Sequence, residues 1–162
     1  MLTDQEFSSL AQTYLDMVYR VALSCVGRPA DADDVTQNTM LRLCRAKVSF
    51  ESQEHARRWL IRVAVNESRR LLTAPWRSRT VSLEELEATL PAQPALEREV
   101  LQAVLSLPKK YRLPLYLYYY EGYSVGEIGA ILGRNPSTIQ THLARGRERL
   151  KAMLTEEVQE HG

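Results

Sequence analysis

The sequence of 162 residues has few of the features that are typical of metal sites, secreted proteins or membrane proteins. Its two cysteines, Cys25 and Cys44, lack CxxC spacing and lie in apolar helical patterns, so we predict two buried thiols rather than a disulfide or a metal site. No apolar run approaches the roughly 20 residues of a membrane span, and polar residues follow Met1 where a signal peptide would be basic and then apolar. We therefore expect a cytoplasmic protein that does not insert into a membrane.

A glycine-rich phosphate loop is also missing, which bears on whether the chain is an enzyme. Asp31, Asp33, Asp34 and His55 are the residues that a metal or acid–base site would use. The three aspartates, however, suit the N-terminus of a helix, where the helix dipole favours anions. We therefore predict no catalytic residue, no metal, no cofactor and no small-molecule substrate.

Charge is distributed in bands that the net charge of +1 conceals. Seven arginines and one acid lie between His55 and Arg79, and five Lys or Arg and one acid lie between Arg134 and Lys151. Between these basic zones, Leu83 to Glu99 is acidic. Opposite signs in separate segments indicate different partners for different parts of the chain.

The clearest local pattern is a helix, a glycine turn and a second helix in the last third of the chain. Ser124 and Glu127 form a capping box that predicts the start of the first helix, and Gly133 predicts its end. Asn135 as N-cap and Pro136 at the first helical position predict that the second helix begins at once. Hydroxyl, amide and guanidinium groups off the apolar stripe of this second helix are typical of a DNA-reading helix-turn-helix.

Periodic apolar residues predict three helices in the first 73 residues. The first begins after Thr3 and runs up to Gly27, the second is capped by Asp31 and ends near Lys47, and the third is capped by Ser52. We expect the second helix to face inward through Ala32, Val35, Thr39, Leu43 and Ala46. The predicted buried face of the third helix consists of Ala56, Trp59, Leu60, Val63, Ala64 and Leu71.

The third predicted helix carries polar and cationic groups opposite its apolar stripe. Arg58, Arg62, Asn66, Arg69 and Arg70 recur at intervals of three or four residues, which places them along one side. Such a row suits the backbone of a nucleic acid. Arginine stems that only cover apolar surface would give the same pattern, so both interpretations stay open at this point.

Helical periodicity fades from residue 74 to residue 95, where we predict a linker between two small helical domains, 1–73 and 96–162. The sequence shows no strand-forming alternation and no internal repeat, so the predicted fold class is all-α. Pro114 falls near the start of its helix, where proline is tolerated. We expect the nearby tyrosines to pack in the core with their hydroxyls at its rim. These tyrosines are Tyr116, Tyr118, Tyr119 and Tyr120.

In their order and spacing, these segments resemble the extracytoplasmic-function group of bacterial sigma factors, RNA polymerase subunits that carry only sigma regions 2 and 4. One segment looks like the region 2 helix that grips the clamp helices of the largest polymerase subunit. It consists of Asp33-Asp34-Val35-Thr36-Gln37 followed by Leu41-Arg42-Leu43. Trp59-Leu60, with Ala64 and Asn66, is similar to the segment that meets the melted minus-10 element. The region 4 pattern is matched by Leu107-Pro108, Tyr120-Glu121-Gly122-Tyr123-Ser124, Glu127-Ile128, Leu132-Gly133, Thr138-Ile139 and Leu143 through Arg147.

The sequence departs from the family pattern at several positions. Asn38, Met40 and Cys44 stand where an acid and two aromatic residues are usual in region 2. Gly129 and Gly146 replace the usual alanine, at a helix-propensity cost of about 1 kcal/mol each unless close packing needs them. In the reading helix, Gln140 and His142 stand where Lys or Arg is common.

The resemblance implies a factor that binds core RNA polymerase and directs promoter-specific initiation without catalysis of its own. Its implied partners are core RNA polymerase, promoter DNA with a double-stranded minus-35 element and a melted minus-10 element, and an anti-sigma factor. It assigns polymerase binding to Asp33, Asp34, Gln37, Asn38, Leu41, Arg42 and Arg45. It assigns the minus-10 element to Phe50, Ser52, His55, Arg58, Arg62, Asn66, Arg69 and Arg70. It assigns the minus-35 element to Arg134, Ser137, Thr138, Gln140, Thr141, Arg145, Arg147 and Arg149.

Three further interpretations stay open at this stage. A helix-turn-helix regulator of the two-component output type shares the Glu127-Ile128 and Thr138-Ile139 pattern, although its N-terminal partner would alternate strands and helices. An adaptor that sequesters other regulators would not need two separate basic faces. An inert helical hairpin with a solvated charged face would not gather its cations as this chain does.

Overall fold

The computed structural model describes residues 1–74 and 102–161, with side chains through Thr155. The chain divides into two compact units, Met1–Val81 and Ser82–Gly162. The described residues form helices and turns without a strand, which confirms the all-α prediction. No helix among these residues is long and apolar enough to cross a bilayer. Nearly all of the predicted linker, and residues 96–101 of the predicted second domain, lie outside the described residues.

The first unit is built from α1 (Asp4–Val26), α2 (Pro29–Arg45) and α3 (Gln53–Leu72), each of which contacts the other two. Local signals fix the ends of α1 as predicted. The hydroxyl of Thr3 accepts the Glu6 N–H at 3.1 Å, and Gly27 takes the left-handed conformation at φ 72°. The core between the helices contains fully buried side chains from all three, namely Val18, Val21, Val35, Leu43, Leu60 and Ile61.

Two predictions about α2 are wrong, namely its N-cap and the burial of Cys44. The helix begins at Pro29, with Asp31 in its first turn, because proline already has the helical φ and needs no N–H partner at that position. It ends at Arg45, two residues before Lys47, and the capping residue Ala46 is extended and half buried. Cys25 is buried but Cys44 is exposed, because Cys44 lies about 100° around the helix from the core residue Leu43.

The buried face of α3 is broader than the predicted one. Trp59, Val63 and Leu71 are only half buried, whereas Ile61 and Val65 are buried. The reason is that α3 packs against both α1 and α2, so two of its sides face protein. This broad face also includes the buried polar residues Glu67 and Ser68.

The second unit contains the helical residues 102–105, α4 (Lys109–Leu115), a π-helical turn (Tyr116–Tyr120), α5 (Val125–Leu132) and α6 (Pro136–His161). Both α4 and α5 pack on α6. The largest core side chains are Tyr111, Leu117, Ile128, Ile139 and Leu143. Pro114 lies near the end of α4, not near the start of its helix as predicted, and the π-helical turn begins two residues later.

Three of the four tyrosines do not pack in the core, contrary to the prediction, whereas Tyr116 is half buried and its hydroxyl donates to Glu121 Oε1. Tyr118, Tyr119 and Tyr120 are exposed by 36%, 59% and 61%, and only Leu117 of the π-helical turn is buried. Successive residues of any helical turn point to different sides, so one core-facing residue leaves its neighbours outside. The exposed rings contact one another instead, for Tyr118 and Tyr119 stack edge to face with their centroids 4.9 Å apart.

Close packing explains the two glycines where the family usually has alanine. A Cβ on Gly129 would lie 2.7 Å from the carbonyl oxygen of Arg134, closer than real Cβ atoms approach. A Cβ on Gly146 would lie 3.0 Å from Leu115 Cδ1 and 3.2 Å from Tyr111 Cβ. Gly129 lets the turn fold back on α5, and Gly146 lets α4 approach α6.

Candidate nucleic-acid interface

The helix-turn-helix forms as the sequence predicts because each of its ends is set by a local cap. Ser124 and Glu127 make a complete capping box, with N–H to oxygen distances of 3.0 and 3.1 Å. Gly133 ends α5 in the left-handed conformation, at φ 66°. The side-chain oxygen of Asn135 then accepts the backbone N–H of Ser137 at 3.1 Å, which starts α6.

The outer face of α6 presents polar groups to solvent. Ile139 and Leu143 are buried on the opposite side, at 0% and 2% exposure, and so fix the rotation of the helix. Ser137, Gln140, Thr141 and Arg145 are exposed, and Thr138 is half buried. The Thr141 hydroxyl donates to the Ser137 carbonyl oxygen at 3.0 Å. The structure thus gathers the five predicted base-reading residues in the first three turns of one helix.

The other three residues that the resemblance assigns to the minus-35 element are arginines that lie around these residues. Arg134 is exposed in the turn before α6. Arg147 Nη1 donates to the Tyr119 hydroxyl at 3.0 Å, and this bond raises the guanidinium pKa further above its ordinary value. Arg149 lies 5.2 Å from the centroid of the Tyr111 ring, a cation–π distance. Arg147 and Arg149 therefore lie on different sides of α6 and contact different tyrosines.

A histidine at the edge of this surface was not among the predicted site residues. His142 is half buried, and its ring meets Tyr111 edge to face at 5.8 Å. Burial lowers the pKa of His142, and the nearby cations Arg134, Lys110 and Arg145 lower it further. Cations from three elements, namely α4, the turn and α6, therefore lie near one imidazole. Their positions in the sequence do not show that they come together.

The first unit carries the second basic surface along α3. Ser52 caps this helix, as predicted, by accepting the His55 N–H at 3.0 Å. Arg62, Asn66, Arg69 and Arg70 are exposed along one side of α3, and we call these four residues the α3 ridge. Arg58, also predicted to belong to this row, is half buried and pairs with Glu54 at 2.9 Å.

The loop before α3 forms an aromatic cluster next to a cleft. The Phe50 ring lies 5.2 Å from the His55 ring and 5.6 Å from the Trp59 ring, both edge to face. His55 Nδ1 accepts the Glu51 N–H at 3.1 Å, which fixes the imidazole orientation. Phe50 and Ser52 line one wall of a cleft of about 600 Å³, and residues from Leu2 to Leu10 line the other.

The predicted polymerase-binding residues lie on α2, where most of them share one exposed side. Six of these residues are exposed, and we call them the α2 face: Asp33, Asp34, Gln37, Asn38, Leu41 and Arg45. Leu41 is exposed by 50% and adds an apolar side chain to this otherwise polar set. Arg42 differs from the others because it forms an ion pair with Glu67 of α3.

Two family models match this chain. Residues 10–78 match sigma-70 region 2, and residues 97–150 match sigma-70 region 4. The first segment includes α2 and α3, and the second includes the helix-turn-helix.

Curated relatives are extracytoplasmic-function (ECF) RNA polymerase sigma factors. SigM of Bacillus subtilis is 31% identical over 88% of this chain and 91% of its own length, and SigW of the same species is 28% identical over 93% and 90%. SigE of Mycolicibacterium smegmatis is 31% identical over 91% of this chain, which spans 61% of that relative's length.

Two solved structures share the fold. The sigma factor RpoE from Bartonella quintana, in complex with the anti-sigma factor NepR, superposes with a TM-score of 0.74 at 22% identity, over 93% of this chain and 98% of its own. CnrH in complex with the cytosolic domain of CnrY gives a TM-score of 0.67 at 23% identity, over 95% and 90%. With a curated relative more than 30% identical along nearly its whole length, the chain belongs to the extracytoplasmic-function group of RNA polymerase sigma factors.

Proposed function

We propose that this protein binds core RNA polymerase and directs it to start transcription at selected promoters, without contributing a catalytic residue. The observation that carries the proposal is the pairing, on one chain, of matches to regions 2 and 4 with two separate basic surfaces. We assign residues 1–73 to region 2, 74–95 to a linker and 96–162 to region 4. Because its partner is the polymerase, we place the protein in the cytoplasm.

The second unit reads the double-stranded minus-35 element. The start of α6 enters the major groove, where Gln140, Thr141 and Arg145 meet base edges. Ser137 and Thr138 lie beside them at the entry of the helix, and the arginines on the flanks contact phosphates. Support for this assignment comes from the exposure of these side chains opposite the buried Ile139 and Leu143.

The first unit holds the melted minus-10 element. Its α3 ridge offers Arg62, Arg69 and Arg70 to the phosphates of one strand. A base that leaves the stack costs a few kcal/mol, and contacts in the cleft beside Phe50 offset this cost. The cleft suits a base, because it combines an aromatic ring with the polar side chains of Ser52 and Gln53.

The α2 face docks on the polymerase. Its acids, Asp33 and Asp34, orient the factor against a basic partner surface, and Leu41 supplies apolar area that becomes buried. A cognate anti-sigma factor is the remaining partner that we propose, on the strength of the NepR complex formed by the structural neighbour RpoE.

Reconstitution with purified core RNA polymerase tests the proposal. We expect the full chain to bind the core enzyme and to start RNA chains at a defined position on a promoter of its source genome. A gel shift with and without core enzyme separates this function from that of a two-component regulator, because a regulator binds its operator tightly alone. Failure of the chain to join the polymerase, or random initiation by the assembled enzyme, would refute the proposal.

A further inference from the structure

Glu67 is a buried acid in the middle of the most basic segment of the chain. Its side chain is only 8% exposed, although it belongs to the helix that carries the α3 ridge. Two arginines from different helices approach the same oxygen, Oε1: Arg42 of α2 through Nε, and Arg70 of α3 through Nη1 at 3.4 Å. A buried carboxylate is costly without such partners, so this ion pair network accounts for its burial.

Both arginines remain accessible while they contact Glu67. The side chain of Arg42 is 52% exposed, and that of Arg70 is 68% exposed. A guanidinium has five N–H donors, and the contacts with Oε1 use few of them. The three side chains together carry a net charge of +1, so they form a cationic surface group that can bind a further anion.

We propose, on the basis of the sigma-factor function above, that Glu67 gathers Arg42 and Arg70 into one binding site for a backbone phosphate of the promoter strand. Arg42 then contacts DNA instead of the polymerase, although it lies on the polymerase-binding helix. The position favours a phosphate because Arg70 belongs to the α3 ridge, so Arg42 extends that row of cations onto α2.

Glu67 acts here as a positioning residue, since it is buried and does not touch the DNA. Long arginine side chains lose conformational entropy when they bind, and a prior contact with Glu67 reduces that loss. Two guanidinium groups would also repel each other without the shared carboxylate between them. The site therefore depends on all three side chains.

The test uses the full chain assembled with core RNA polymerase and a fork-junction DNA whose minus-10 strand is single-stranded. We expect R42Q and R70Q each to flatten the dependence of log affinity on log salt by about 0.7 unit, as the loss of one phosphate contact on a single strand should. The matched control is K47Q, which removes an exposed cation just beyond α2 and should leave the slope unchanged. R42Q should leave the affinity for core polymerase within twofold, whereas L41A should weaken it.

A second comparison tests the role of Glu67. In the E67Q background, R42Q should change DNA affinity less than twofold, while R62Q keeps its full effect. E67D retains the charge and should restore the R42Q effect, and thermal unfolding of each variant verifies that it folds. Any of three results for R42Q overturns the inference. They are an unchanged salt slope, weaker polymerase binding, and a loss of DNA affinity in the E67Q background that equals the loss in the wild-type background. If the wild-type chain does not bind core polymerase at all, the proposed function itself fails.

Discussion

Replacement of Gly129 by alanine tests how tightly the helix-turn-helix is built. Alanine raises helix propensity by about 1 kcal/mol, so an open site in α5 should gain stability from this change. At Gly129, however, the new Cβ would lie 2.7 Å from the Arg134 carbonyl oxygen and 3.5 Å from the Pro136 nitrogen. Both neighbours are backbone atoms, so the turn itself has to move.

Overpacking of this kind costs about 1–3 kcal/mol, which exceeds or cancels the gain in propensity. We therefore expect G129A to destabilise the second unit by up to about 2 kcal/mol. The matched control is G126A in the same helix, whose Cβ would meet only the Ser124 hydroxyl oxygen, at 4.0 Å. That variant should be neutral or stabilise the unit by up to about 1 kcal/mol.

Hydrogen exchange of the α5 and α6 amides is the suitable assay, because it reports on the second unit separately from the first. Protection factors should fall in G129A and stay equal or rise in G126A. Equal stabilisation by both alanines would refute the reasoning, since it would mean that the contact between Gly129 and the turn imposes no constraint. A shifted turn should also weaken minus-35 binding in G129A.

Three further predictions concern the binding surfaces. R147Q should flatten the slope of log affinity against log salt for a minus-35 duplex by about 0.9 unit. Y119F keeps the cation and should leave this slope unchanged. Equal slopes for R147Q and wild type would mean that Arg147 does not contact a phosphate. L41A should weaken core polymerase binding while its stability stays within about 0.5 kcal/mol of wild type, and unchanged binding would contradict the proposed α2 face. Because the pKa of His142 is lowered in the folded chain, the unfolded chain takes up this proton more readily. Stability should therefore decrease as the pH falls below about 6.5, and in H142Q part of this dependence should be lost when urea unfolding is measured against pH.

Sequence predicted those parts of the fold that depend on neighbours in the chain. The caps at Thr3, Ser52 and Ser124 and the glycine at 133 act within one helical turn, so their residue types suffice to place a helix end. Asp31 shows the limit of this reasoning, because a proline two residues earlier starts the helix first.

Features that depend on packing between helices were not predictable in this way. Glu67 appeared in the sequence only as one acid among arginines, and its burial results from the approach of α2 to α3. The exposed tyrosines depend on which single residue of the π-helical turn reaches the core. The roles of the individual site residues in polymerase and DNA binding stay predictions.

In the proposed minus-35 complex, the hydrogen bond from Thr141 to the Ser137 carbonyl should limit the bases that this threonine selects. Its hydroxyl hydrogen is already directed along the helix backbone, so a base in the major groove meets the side-chain methyl group and an oxygen lone pair. A methyl group packs well against the C5-methyl of thymine, and a lone pair accepts from the amino groups of adenine and cytosine. Guanine offers only acceptors on that edge, so the proposed contact predicts that Thr141 disfavours guanine.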